Sequence, residues 1–147
     1  MSKRSISLFA CAGVLLASPL FSAASEPTKV TIKLSDGSNG QMALTVSPKK
    51  IPPGPVEFTI QNVSGNTKHE FLFARWSRPD GKLPYDAKTQ QVQEDAVNGL
   101  EGVEDLNPHE SVTAQFTLSK GRYVVFCNEP GHYRSGMHAE FVVGSAK

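Results

Sequence analysis

Three side chains that bind soft metals stand at even intervals in FCNEPGHYRSGMHAEFVV, residues 126–143. Cys127 brings a thiolate, His132 an imidazole and Met137 a thioether, with four residues between each and the next. Magnesium and calcium prefer oxygen, so this donor set belongs to softer transition-metal chemistry.

The chain has only two cysteines, and Cys11 sits in a segment expected to be removed. Residues 1–24 open with Lys3 and Arg4, continue with an apolar run from Ile6 to Phe21, and end in Ser22, Ala23 and Ala24. That is the layout of a secretory signal peptide cleaved after Ala24, leaving residues 25–147 as one domain. Read as a membrane anchor, the run is short for a span of roughly 20 residues and is interrupted by Pro19. Read as a lipid-attachment signal at Cys11, it is left as a stub. The mature chain is therefore expected in the periplasm, without a membrane span. Disulfides form there, and Cys127 has no partner, so something else must occupy its thiol.

Export also removes two bases, so the 15 Lys and Arg fall to 13 against 14 acids, a net charge of about −1. A near-neutral surface without a basic stripe has little to offer a nucleic acid, and none is expected as partner.

The elements that must position the loop read as short strands between turn signals. KVTIKL (29–34), MALTV (42–46), VEFTIQN (56–62) and SVTAQFTL (111–118) alternate. HEFLFARW (69–76) and GRYVVFC (121–127) are more continuously apolar, and HAEFVV (138–143) closes the chain. About seven strands with frequent Gly and Pro predict an all-β, Greek-key antiparallel sandwich. Residues 77–110 are too long for a plain loop and are expected to hold a short helical flap, from Asp86 to about Ala96. In the acidic piece that follows, Val97, Leu100, Val103 and Leu106 are the candidates to face inward, and the charges make a solvated face.

Two histidines and a cysteine in a trigonal plane, with a long axial methionine, form the arrangement of blue-copper electron-transfer sites. The loop supplies one histidine, and the chain has three others: His69, His109 and His138. His69 begins an apolar strand that can hold it rigidly beside the loop. His109 lies in the turn NPHES, and His138 follows Met137 directly, so on a strand it faces the other way. The expected ligands are His69, Cys127, His132 and Met137. Trp76 and Met42 are expected to pack in the core or flap, outside the site.

With these residues the chain resembles the cupredoxin family of type-1 copper proteins, plastocyanin and azurin among them. The resemblance runs through the strand order and is most specific at CNEPGHYRSGM and at NVSGNTKHEF. It implies one copper ion cycling between Cu(I) and Cu(II), no enzyme activity, and redox proteins docking on a monomer around the exposed edge of His132. The Cys-to-His spacing is closer to azurin than to plastocyanin. Cupredoxins commonly carry asparagine after the first histidine, and here that residue is Glu70. Three readings are open for it: a carboxylate that accepts backbone N–H bonds from the ligand loop, a charge that favours the oxidised ion, or a ligand in a different kind of site. The competing function is a periplasmic copper-tolerance protein with the same site. A Met-rich or His-rich scavenger is disfavoured, because the mature chain has only Met42 and Met137 and no histidine tract.

Overall fold

The computed structural model describes residues 25–36, 41–75 and 82–145. The expected leader (1–24) and Trp76 lie outside the described residues.

Eleven strands are present among them: β1 Thr28–Ser35, β2 Ala43–Ser47, β3 Lys50–Ile51, β4 Gly54–Asn62, β5 His69–Arg75, β6 Tyr85–Asp86, β7 Gln91–Val92, β8 Glu101–Leu106, β9 Ser111–Leu118, β10 Gly121–Phe126 and β11 His138–Val143. Two sheets pack face to face, one in the order β2-β1-β4-β9 and the other β3-β11-β10-β5-β8. Period-two patterns set the inner faces. Val30, Ile32 and Leu34 of β1 and Val56, Phe58 and Ile60 of β4 all point into the core. Phe58 is its hub, with ring centroids 5.1 Å from Phe71, 5.7 Å from Phe73 and 5.9 Å from both Phe116 and Phe141.

The sheets are mixed, not purely antiparallel as expected. β1 runs parallel to β4, and β11 parallel to β3. Each strand alternates equally well in either direction, so the alternation that reveals a strand carries no information on its partner's sense.

β5 and β10 lie next to each other in the interior of the second sheet, and both of their faces are buried. One face of this pair joins the sandwich core. The other carries Leu72, Val124 and Phe126, which are covered by Val92, Leu83, Tyr85, Val97, Leu100 and Tyr133. That outer cover explains why these two strands read as continuous apolar runs.

The cover itself corrects the expectation of a helical flap. Residues 82–100 form the β6–β7 hairpin and one turn of 3₁₀ helix, Glu94–Ala96. Between Asp86 and Ala96, Val92 is the only large apolar side chain, so a helix there would have no stripe to bury. In the hairpin, Tyr85 and Val92 pair across the two strands and both reach the outer cluster. The four inward candidates all pack: Val97 and Leu100 on the outer cluster, Val103 and Leu106 on the main core.

β8 pairs with β5 through a bulge in which Glu104 and Asp105 oppose the single residue Glu70. Gly102 allows this close pairing, since a Cβ there would fall 2.1 Å from the Phe71 carbonyl oxygen.

Candidate metal centre

β5 begins with His69, and its antiparallel neighbour β10 ends just before Cys127. Both residues therefore emerge at the same end of the sandwich. The loop 127–137 returns to β11 and is closed by its own backbone. The Cys127 N–H donates to the Met137 carbonyl (3.0 Å), and the Met137 N–H donates to the His132 carbonyl (3.1 Å). Gly131, at φ 84°, takes the left-handed turn that sends His132 back over Cys127.

Three donor atoms converge there. His69 Nδ1 lies 3.2 Å from His132 Nδ1, and Cys127 Sγ lies 3.4 Å from His132 Nδ1 and 3.9 Å from His69 Nδ1. The point equidistant from all three is about 2.0 Å from each, which is bonding distance for a first-row transition ion on imidazole and slightly short for thiolate. One thiolate and two imidazoles suit copper or zinc and exclude hard cations. The three residues form a site that fits one copper ion. Met137 is fully buried beside Cys127, placed by the two backbone bonds that close the loop. His109 and His138 are exposed; His138 Nδ1 sits 3.0 Å from the Tyr133 carbonyl, facing away from the three donors.

Burial shapes the electrostatics. It pushes the Cys127 thiol up to about 12, against the pull of the Glu70 and Glu129 backbone N–H groups. It lowers His69 to about 4, with the neighbouring His132 adding to the effect, and it lowers His132 as well. Neutral imidazoles are ready to bind metal, whereas a thiol held this high is a poor nucleophile without a cation to stabilise its anion.

Several supporting residues escaped the sequence reading. Ser64 Oγ lies 2.8 Å from His69 Nε2, and both residues are buried. With Nδ1 turned to the common point, Nε2–H donates to Ser64 and fixes the ring. Asn62 holds Ser64 in turn: its Oδ1 accepts the Ser64 N–H (3.0 Å), and its Nδ2 donates to the carbonyls of Thr67 (2.8 Å) and Leu106 (3.0 Å). An Asn-x-Ser turn five residues before the histidine was the available signal, but many solvated turns share it.

Glu70 is resolved in part. Its backbone N–H points at Cys127 Sγ across 3.4 Å, and the Asn128 backbone N–H acts to stabilise its charged form. Burial raises that carboxyl to about 7, helped by Glu129 and Glu94. The carboxylate is not one of the converging groups.

No protein-family model and no curated protein matches the chain. Solved structures do match. Auracyanin from the photosynthetic bacterium Roseiflexus castenholzii aligns with a TM-score of 0.53 at 21% identity, over 84% of this chain and 100% of its own. Rusticyanin from Thiobacillus ferrooxidans gives 0.55 at 18% identity, over 82% of this chain and 80% of that one. A laccase from Pediococcus acidilactici gives 0.54 at 17% identity, over 91% of this chain but only 32% of the laccase. Auracyanin and rusticyanin are cupredoxins, and this chain has the cupredoxin fold. At such identities the likeness is one of fold, so the site has to carry the functional argument.

Proposed function

We propose that this protein is a type-1 copper protein that carries single electrons between redox partners, with His69, Cys127, His132 and Met137 as ligands. The observation that carries the proposal is the convergence of two imidazole nitrogens and one buried sulfur on a common point. Bound there, copper supplies a one-electron couple.

The chain's own residues do the rest. His69 is locked by Ser64, and Cys127 by the Glu70 N–H and the Met137 carbonyl, so the donors keep their places in both oxidation states. Full burial of His69, Cys127 and Met137 keeps water out. Met137, fully buried beside Cys127, would supply the remaining contact to the ion and leave no open position for a substrate, in contrast to a catalytic metal centre. His132 is only partly buried, so its ring is the route to a partner. Val63, 50% exposed beside Ser64, and the exposed Pro130 give that end the apolar character of a weak docking surface. An oxidase of the laccase kind needs further clustered histidines, and His109 and His138 stand apart on the surface. Residues 1–24 act as an export signal, and the working protein is a periplasmic monomer of residues 25–147. Among the described residues no helix is long and apolar enough to cross a membrane.

The test is electron self-exchange, followed by NMR line broadening in mixtures of the Cu(I) and Cu(II) forms. A carrier shows exchange broadening and a reversible voltammogram. A protein that stores copper without passing electrons shows neither, and that result would move the function to copper tolerance.

A further inference from the structure

Asn128, directly after the cysteine, is 1% exposed, and its side-chain amide and its carbonyl are both hydrogen-bonded. Its side-chain Oδ1 accepts the Val92 N–H (2.6 Å), and Nδ2 donates to the Val92 carbonyl (3.0 Å) and to Glu94 Oε1 (2.7 Å). Its carbonyl accepts from Gln91 Nε2 (2.9 Å). One residue thus joins the ligand loop to the inserted hairpin.

We propose that Asn128 is a positioning residue of the metal centre. It clasps the β6–β7 hairpin onto the ligand loop, so that the hairpin, and not the two sheets alone, fixes where Cys127 and His132 stand. The proposal rests on the metal-site reading above.

The chemistry calls for a carboxamide. Val92 presents a backbone donor and a backbone acceptor side by side, and a short arm carrying both an acceptor and a donor satisfies them together. Aspartate offers no donor, leucine offers neither, and glutamine is one methylene too long for the buried gap. The clasp also has a consequence one turn further along the loop. At the hairpin tip, Gln90 stands at φ 58° and its carbonyl accepts the Gly131 N–H (2.8 Å), one residue from His132. Tyr133 then stacks on Tyr85 with centroids 6.1 Å apart, and the Arg134 guanidinium lies 4.1 Å over the Tyr85 ring. The loop face beside His132 is therefore built against the hairpin that Asn128 holds. An insertion that only covered apolar strands would not need these polar contacts to the loop.

The experiment compares Asn128→Ala with Ile51→Ala, a core truncation at the opposite end of the sandwich. In the metal-free protein the readouts are amide hydrogen exchange at Gly131, whose N–H bonds to the Gln90 carbonyl and not to Asn128, and the alkylation rate of Cys127. In the copper-loaded protein they are the reduction potential and the thiolate-to-copper absorption. Asn128→Ala should raise Gly131 exchange and Cys127 alkylation at least ten-fold and shift potential and absorption, while sheet amides in β1 and β4 keep their protection. Ile51→Ala should lower the melting temperature and leave all four readouts in place.

If Asn128→Ala matches Ile51→Ala, Asn128 is a stability residue only and the proposal is wrong. Should Asn128→Ala not fold, Gln91→Ala removes one bond of the clasp. It must then show the same changes at smaller size, and its identity with wild type overturns the proposal. If the wild type takes up no copper, the metal-site reading fails, while exchange and alkylation still decide whether the clasp exists.

Discussion

The backbone N–H of Glu70 donates to Cys127 Sγ across 3.4 Å, while the backbone N–H of Asn128, the residue next to that cysteine, favours the charged form of the Glu70 carboxyl. One bond and one electrostatic contact, opposite in sense, link the strand of His69 to the loop of His132. A cupredoxin asparagine would tie the loops through an amide, and here a carboxylate stands in its place. Glu70→Gln keeps an acceptor for Asn128, so the copper spectrum should stay nearly intact with a modest change in potential. If Met137 is the fourth ligand, Met137→Leu removes a donor that favours the oxidised ion. It should keep the colour and raise the potential, by about 59 mV for each ten-fold loss of preference between oxidation states. Spectroscopy and voltammetry of both variants check this pair. A rewritten spectrum in Glu70→Gln with no effect of Met137→Leu would make Glu70 the ligand.

Cys127→Ser should abolish the thiolate-to-copper absorption and leave the metal-free fold standing, because serine occupies less space in the same pocket. Visible spectra and far-UV circular dichroism report the two halves. Retained colour would identify another chromophore.

Ser64→Ala frees the His69 ring without touching a donor atom. Loss of such an orienting bond typically weakens metal affinity by about 10- to 100-fold, and a competitive chelator titration should show a drop of that size. An unchanged affinity would mean that packing alone orients His69.

Acidification of the metal-free protein sets two buried groups against each other. An unfolded imidazole takes its proton near 6.5, whereas folded His69 takes it near 4, so between these values the unfolded chain binds more protons and stability falls as pH is lowered. The stability owed to the neutral imidazole is fully present above pH 6.5. Glu70, raised from 4.5 to about 7, has the opposite sign: its contribution is present below 4.5 and is lost as pH rises through 7. Glu70→Gln should therefore steepen the loss of stability between pH 6.5 and 4.5, read as urea midpoints at the two pH values. Parallel pH profiles for variant and wild type would contradict the assignment.

The strands that alternate or run continuously apolar were legible, and β9 and β11 match their sequence runs residue for residue. β3 has two residues, too few to show a period, and the bulge opposite Glu70 breaks the alternation of β8. The hairpin was hidden because its order comes from contacts with the ligand loop and not from its own pattern. Cys127 and His132 were legible as neighbours in one loop. Ser64, Asn62 and Asn128 were not, because each works through partners that only the fold brings near. Asn62 and Leu106 are 44 residues apart, and Asn128 and Val92 are 36 apart.

On the proposed reading, two histidines and one cysteine of this chain hold copper, with Met137 as the axial contact. An anomalous-difference map of the copper-loaded crystal, recorded at the copper edge, tests it most directly. One strong peak is expected about 2.0–2.3 Å from His69 Nδ1, His132 Nδ1 and Cys127 Sγ, with the Met137 sulfur as a longer fourth contact. A peak on the Glu70 carboxylate or at His109 or His138, with the three converging atoms left bare, would contradict it.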